Sequence, residues 1–315
     1  MRLVVTGAGG FVGTALCRAA EVEGHEVLRV TRSHGQGSSG VATVEAIDGQ
    51  TDWGHLLDGA DAVIHLAARV HVLRETAKDS MAAFRKVNVD GTRRLAERAA
   101  AVGVRRLVLV SSVKVLGEET IAAPFGPESV PAPQDHYGQS KLEAETALRD
   151  VATRYGLETV TLRPPLVHGP GVGGNLRRLM GLIRQGVPLP FAGIENRRSL
   201  IGVDNLVSAL IRSAGISTAA GQIFLVADQP PLSTPGLIRV LADAMALPAR
   251  LYSVPAPALR LLGRLAGRSE ELSRLTGSLE VDDRQARALL QWTPSVTLEA
   301  GLREMARAYL RESVG

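Results

Sequence analysis

The chain has 315 residues, 45% of them hydrophobic and 22% charged, which supplies core for one large α/β domain or two unequal lobes and excludes wholesale disorder. Lys and Arg number 36 against 32 acidic residues, and aromatics are 3%; so slight a basic excess, with so few stacking rings, excludes a nucleic-acid binder. One cysteine leaves no disulfide framework and no metal site is expected, while the lack of an 18-residue apolar run or a charged leader after Met1 points to a cytoplasmic protein without membrane insertion.

Short β-branched runs at Leu3–Thr6, Glu26–Val30, Val41–Ala46, Ala62–Leu66, Leu107–Ser111 and Thr159–Leu162 alternate with helical stretches, the longest being Ala77–Ala101 and Asp135–Tyr155. Apolar strands separated by helices predict an α/β, Rossmann-type doubly wound parallel sheet covered on both faces. After Arg163 a cluster of Pro and Gly breaks the alternation and predicts a smaller, loop-rich C-terminal lobe. Residues 1–165 are read as the dinucleotide-binding domain, with a segment near 199–228 returning to it, and 166–198 with 229–315 as the second lobe. Ile223–Val226 reads as the returning strand, and Leu237–Leu247, Ala256–Leu275 and Asp283–Leu290 as helices.

The first strand runs into Thr6-Gly7-Ala8-Gly9-Gly10-Phe11-Val12-Gly13 and then a helix. Glycines at 7, 10 and 13 suit a tight turn, close backbone approach to a pyrophosphate and helix–strand packing, with the helix N–H groups of the Phe11–Val12 turn facing the phosphates. At the end of the second strand, where an acidic residue would hold the ribose 2′-hydroxyl of NAD, stand Thr31 and Arg32. A 2′-phosphate would meet a guanidinium there and no carboxylate, which favours NADP(H) and leaves NAD(H) possible; Arg32 as a plain solvated charge is the alternative. Asp48 suits either the adenine amino group or a turn.

A central strand ends in Ser111-Ser112, and Tyr137-Gly138-Gln139-Ser140-Lys141 stacks a phenol and an ammonium on one helical face. An adjacent cation is expected to lower the phenol from its free value near 10 toward the working range, so that Tyr137 moves a proton while Ser112 bonds the reacting oxygen.

Taken together, Thr6-Gly7-x-x-Gly10-x-x-Gly13, His65-Leu66-Ala67-Ala68, Asn88-Val89-Asp90-Gly91-Thr92, Ser112 and Tyr137-x-x-x-Lys141 resemble the extended short-chain dehydrogenase/reductase family. The resemblance implies a nicotinamide cofactor exchanging hydride with a sugar carbon, Lys141 on the nicotinamide ribose, Leu66, Ala67 and Ala68 along the cofactor, and Asn88 near its nicotinamide end or in a structural contact. It also implies a possible homodimer through the two long helices. Arg163-Pro164-Pro165-Leu166-Val167-His168-Gly169, Asn175-Leu176, Arg197-Arg198-Ser199-Leu200 and Val203-Asp204-Asn205-Leu206 are similar to the nucleotide-sugar branch, in which residues matching Asn175 and Arg198 hold the diphosphate of a UDP-sugar. Ser111-Ser112-Val113-Lys114-Val115 and Ala67-Ala68-Arg69-Val70-His71-Val72 look like bacterial reductases of UDP-4-keto-6-deoxy-N-acetylhexosamines, which serve O-antigen and capsule synthesis. Lys114 and His71 are candidates for sugar or diphosphate contact, or for structural pairs. Gly202, where many 4-epimerases have histidine, and Lys114, where they often have a small or hydroxyl residue, are departures that tell against a UDP-hexose 4-epimerase with tightly bound NAD and leave a C4-ketone reductase as the favoured reading, while His168, in place of a tyrosine, leaves the substrate detail open. A non-catalytic sensor or scaffold is the remaining reading.

Overall fold

The computed structural model describes residues 1–32, 40–70, 79–255, 258–259 and 269–312. In chain order it contains β1 (Arg2–Thr6), α1 (Phe11–Val22), β2 (Glu26–Thr31), β3 (Val41–Thr43), β4 (Ala62–His65), α2 (Ser80–Arg85), α3 (Gly91–Ala101), β5 (Arg106–Val110) and α4 (His136–Tyr155). There follow β6 (Glu158–Arg163), β7 (Leu166–His168), α5 (Gly174–Arg184), β8 (Leu200–Gly202), α6 (Val203–Gly215), β9 (Ile223–Leu225) and α7 (Thr234–Ala244), with further helices at Ser269–Thr276, Arg284–Leu289 and Leu298–Glu312.

Seven strands form one parallel sheet in the order β3-β2-β1-β4-β5-β6-β9. The order reverses between β1 and β4, so a crevice opens beyond their C-terminal ends, where ligands of open α/β sheets bind. The apolar strands follow from burial on both faces. Leu3 and Val5 pack with Leu16, Leu206 and Leu210 on the side of α1 and α6, while Val4 packs with Leu95, Leu107 and Leu148 on the side of α3 and α4. A separate core of Leu176, Met180, Leu241, Leu302 and Met305 builds the lobe.

The structure departs from the expected elements in three places. The strand expected over Val41–Ala46 ends at Thr43. Within the stretch expected as one helix from Ala77 to Ala101, the described part carries a π turn at Lys86–Asp90, and the extra residue turns both Asn88 and Val89 inward. Gly91 follows it because a Cβ there would lie 2.9 Å from Ile47 Cγ2. Finally, Ala286, Leu290 and Trp292 pack into the core beneath the sheet, so the helix at Arg284–Leu289 sits with the Rossmann half and not, as the sequence suggested, with the lobe.

One buried ion pair ties the helix that carries Tyr137 to the sheet. Arg163 at the end of β6 donates from Nε to Glu145 Oε1 at 3.0 Å and from Nη2 to Oε2 at 2.6 Å, with both side chains nearly inaccessible. Removing one partner of such a pair strands the other charge in the core. Glu145→Ala is expected to cost about 3–5 kcal/mol, measured as a lower urea midpoint, while Glu145→Gln should recover part of it by keeping an acceptor.

Candidate active site

The glycine loop has the shape of a dinucleotide cradle. Gly7 has φ +71°, and a Cβ there would fall 2.8 Å from Ala67 N; one on Gly13 would fall 2.2 Å from Gly7 O. Gly10 is less crowded by its own chain, its nearest atom being Gly7 O at 3.3 Å. It is the N-cap of α1 and brings no side chain to the helix end, so the first-turn N–H groups around Phe11 and Val12, which have no intrahelical acceptor, open into the crevice. Leu66, Ala67 and Ala68 follow β4 directly across from this turn. These features fit the pyrophosphate of a nicotinamide dinucleotide. At the adenosine end, Thr31 closes β2 half-buried and Arg32 is exposed at the surface. Asp48 forms a turn, with Oδ1 accepting from Gln50 N at 2.9 Å and Oδ2 lying 3.4 Å from Lys86 Nζ.

Beneath the cradle a buried relay was not legible in the sequence. Thr6 Oγ1 accepts from Ala67 N at 3.3 Å and stands 2.6 Å from His65 Nδ1; His65 Nε2 stands 3.2 Å from Thr92 Oγ1, which donates to Asn88 O at 2.6 Å. Because the Thr92 proton is committed to Asn88, His65 donates from Nε2 and accepts from Thr6 at Nδ1, which is the neutral tautomer. Burial, and then the nearby Lys141 charge, hold its pKa down to about 3. Asn88 in turn accepts from Arg69 N at 2.7 Å and donates to Arg69 O at 3.0 Å and Ser140 Oγ at 2.9 Å. Its amide is therefore occupied in binding the loop after β4 to the Tyr137 helix, which is the structural contact left open above.

Ser112, Tyr137 and Lys141 come together where β5 ends and α4 begins. Asp135 caps α4, accepting from Gly138 N at 2.7 Å, and the Ser112 hydroxyl hydrogen-bonds the Tyr137 phenol. The expected lowering of the phenol by Lys141 is absent. Burial, followed by the Asp135 carboxylate, pushes Tyr137 up to about 12 against the hydrogen bond from Ser112, and burial brings Lys141 down to about 8 although Glu145 opposes this. The reason is desolvation: in so enclosed a site the cost of carrying any charge exceeds what one cation returns to its neighbour.

Ser112 and Tyr137 open into a cavity of about 1210 Å³ between the sheet and the lobe, which Lys114, Asn175 and Arg198 also line. Asn175 is the second residue of α5, whose cap is Gly173, so it has no capping role and its amide is exposed to the cavity. Arg198 is no surface charge: its Nη1 donates to Gly277 O at 3.1 Å, and its main chain pairs with Leu232 and Leu279. Lys114 has carboxylate partners in Glu118 at 2.7 Å and Asp135 at 2.5 Å. His71 lies outside the described residues, as does much of the helix expected over Ala256–Leu275. The end of that segment supplies a residue that sequence reasoning missed: Arg274 lines the cavity and pairs with Glu118 at 3.3 Å.

The departures at His168 and Gly202 have a packing explanation. They are register partners in the two-stranded sheet of β7 and β8. His168 is fully buried, 3.4 Å from Asp228 Oδ2, and a Cβ on Gly202 would lie 3.4 Å from the same oxygen and 3.5 Å from the His168 ring. The His168 ring has its room from Gly301, where a Cβ would fall 2.7 Å from its Cε1, while at Gly202 a Cβ would make only ordinary contact; neither departure lines the cavity, so neither argues against an epimerase.

Among the described residues no cluster of three metal-ligating side chains occurs, and no helix is long and apolar enough to cross a membrane. Residues 3–227 match the NAD dependent epimerase/dehydratase family. The chain belongs to this family. A UDP-glucose 4-epimerase of Vibrio cholerae is 37% identical over 313 residues, covering 98% of this chain and 95% of that protein. A 2-alkyl-3-oxoalkanoate reductase of Stenotrophomonas maltophilia is 28% identical, covering 97% and 98%. Among solved structures, a UDP-glucuronic acid 4-epimerase of Bacillus cereus in complex with NAD superposes with a TM-score of 0.81 at 21% identity, covering 100% of this chain and 98% of that one; at that identity the likeness speaks for the fold. Membership in this NAD(P)-dependent epimerase/dehydratase family makes the chain an enzyme by kinship, and its Rossmann fold is the family's.

Proposed function

We propose that this protein moves a hydride and a proton at C4 of a UDP-sugar, with Tyr137 as the proton carrier. The observation that carries the reading is the Ser112–Tyr137 pair, with Lys141 on the same helix, opening into a cavity that Asn175, Arg198 and Arg274 also line. Such a lining suits a diphosphate, since a guanidinium grips phosphate oxygens and a neutral amide donates without adding charge. The sugar then lies between those groups and the phenol. A bound nicotinamide supplies the hydride acceptor and donor and, when oxidised, a positive charge beside the phenol that favours its ionisation. Tyr137 takes or returns the proton of the C4 oxygen, Ser112 hydrogen-bonds that oxygen, and Lys141 binds the ribose and favours the phenolate when charged.

Two outcomes share these residues. In 4-epimerisation, the reading that the Vibrio cholerae relative favours, the hydride that leaves C4 would return to its opposite face, and the same phenol takes the proton of the C4 oxygen and gives it back to that oxygen. The second reading is net reduction of a UDP-4-keto-6-deoxy-N-acetylhexosamine by NADPH, for O-antigen or capsule precursors. It is favoured by Thr31 and Arg32, which put no carboxylate at the end of β2, and by the keto reduction named for the Stenotrophomonas relative.

Purified protein should be given UDP-glucose and UDP-N-acetylglucosamine in one arm, with products resolved by chromatography, and a UDP-4-keto-6-deoxy-N-acetylhexosamine with NADPH in the other. Interconversion of epimers without net loss of NADPH establishes the first reading. Stoichiometric NADPH oxidation without epimerisation establishes the second. Failure of both arms overturns the assignment to C4.

A further inference from the structure

The turn after Ser112 and the first turn of the Tyr137 helix are packed main chain against main chain: a Cβ on Gly138 would fall 2.7 Å from the carbonyl oxygen of Lys114. Across the same contact runs an ion pair. Asp135 uses Oδ1 to cap α4 through Gly138 N at 2.7 Å and Oδ2 to meet Lys114 Nζ at 2.5 Å. Lys114 also reaches Glu118 Oε1 at 2.7 Å, and its backbone N donates to Ser112 Oγ at 3.2 Å. One residue, through its main chain on one side and its ammonium on the other, thus joins the residue that would bond the reacting oxygen to the cap of the helix that carries the phenol.

The charge of Asp135 gives this contact a chemical consequence. A carboxylate two residues before Tyr137, in a partly buried setting, disfavours the phenolate and is among the causes that raise the phenol. We propose that Lys114 is a positioning residue that locks the Ser112 turn onto the Tyr137 helix and offsets part of the Asp135 charge beside the phenol. The role rests on Tyr137 as proton carrier and holds for either outcome at C4.

The groups facing Tyr137 are compatible with it. From its own helix come Asp135 and Lys141; from the turn after β5, Ser112 and Lys114. From α2 comes the Phe84 ring, 6.3 Å away between centroids, with the Arg69 guanidinium of the loop after β4 5.5 Å over that ring. Arg274 adds a cation 3.9 Å from Asp135 and 3.3 Å from Glu118. Lys114 is the nearer of these two cations to the Asp135 carboxylate, at 2.5 Å, so its removal leaves more of that charge acting on the phenol.

The test uses full-length protein with NAD bound and reads the Tyr137 phenolate by ultraviolet titration against Tyr137→Phe, which needs no substrate. Lys114→Met should move the midpoint up by about one pH unit, a tenfold change in proton affinity, and shift the pH profile of kcat the same way. Asp135→Asn, which keeps a capping oxygen, should move it down. The double variant should return near the wild-type midpoint, and Lys114→Arg should stay there. An unchanged midpoint in Lys114→Met with a raised KM for the sugar would make Lys114 a substrate ligand and overturn the proposal. Equal upward shifts in the single and double variants would overturn it too, by removing Asp135 from the effect. Should Lys114→Met fail to fold, an unmoved midpoint in Asp135→Asn overturns the proposal and a lowered one supports it. Loss of the functional reading shows separately, as a wild-type protein that turns over no nucleotide sugar while its phenol still titrates.

Discussion

Tyr137→Phe is expected to lower turnover by roughly 10²–10⁴-fold while leaving cofactor and substrate binding close to wild type. The substitution removes one oxygen from a ring that stays packed against Phe84, so the fold should be preserved. What is lost is the proton carrier and its hydrogen bond with Ser112. With the phenol pushed up to about 12, the neutral form dominates at pH 7, and in the proposed function it would serve directly as an acid toward the C4 oxygen. Taking a proton requires the phenolate, so in the oxidative direction turnover should rise with pH and the rise should disappear in Tyr137→Phe. Steady-state kinetics across pH, paired with calorimetric titration of nucleotide binding, checks both parts. A variant that retained more than a tenth of wild-type kcat would remove Tyr137 from the chemistry.

Gly13→Ala should weaken cofactor binding, with a dissociation constant raised by about tenfold or more for a lost binding term of about 1.4 kcal/mol or larger. The new methyl would stand 2.2 Å from Gly7 O, 2.8 Å from Ala8 Cα and 2.9 Å from Gly7 C. All three are backbone atoms, so no side chain can turn aside, and relief requires moving α1 away from the phosphate turn. Overpacking of this kind costs about 1–3 kcal/mol in stability as well, so the melting temperature should fall. Gly9→Ala is the matched control: its nearest neighbour is the Thr31 methyl at 3.8 Å, and both binding and melting should stay near wild type. Equal losses in the two variants would mean that the loop responds to any added bulk and that the close approach at Gly13 has no special part.

Much of the site is local in sequence and was legible for that reason. Glycine spacing in a strand–turn–helix and a phenol four residues from an ammonium on one helix are set by backbone geometry that neighbouring residues share. The strand returning at Ile223 and the loop-rich lobe after Arg163 were likewise marked by composition. Three features were not. The π turn at Lys86–Asp90 leaves an apolar pattern close to that of a plain helix. The standing of Arg274, on a helix whose pattern suggests a solvated basic face, depends on which segment packs against it. The electrostatics of Tyr137 depend on burial, and the sequence names the neighbouring cation without revealing how much water the phenol loses.

By itself the sequence determined the doubly wound α/β class, the glycine spacing of the first turn, the pairing of Tyr137 with Lys141 on one helical face and membership in a family with nicotinamide chemistry, because each is encoded at short range in periodicity and spacing. The tertiary structure decided the rest. It joined Thr6, His65, Thr92 and Asn88 into one buried relay across 86 positions of chain, seated the His168 ring over Gly301, and brought Arg198 and Arg274 to one cavity. It also set Lys114 against Asp135. Desolvation and long-range contact exist only once distant segments have been brought together, and these set the protonation of the phenol and the shape of the space beside it.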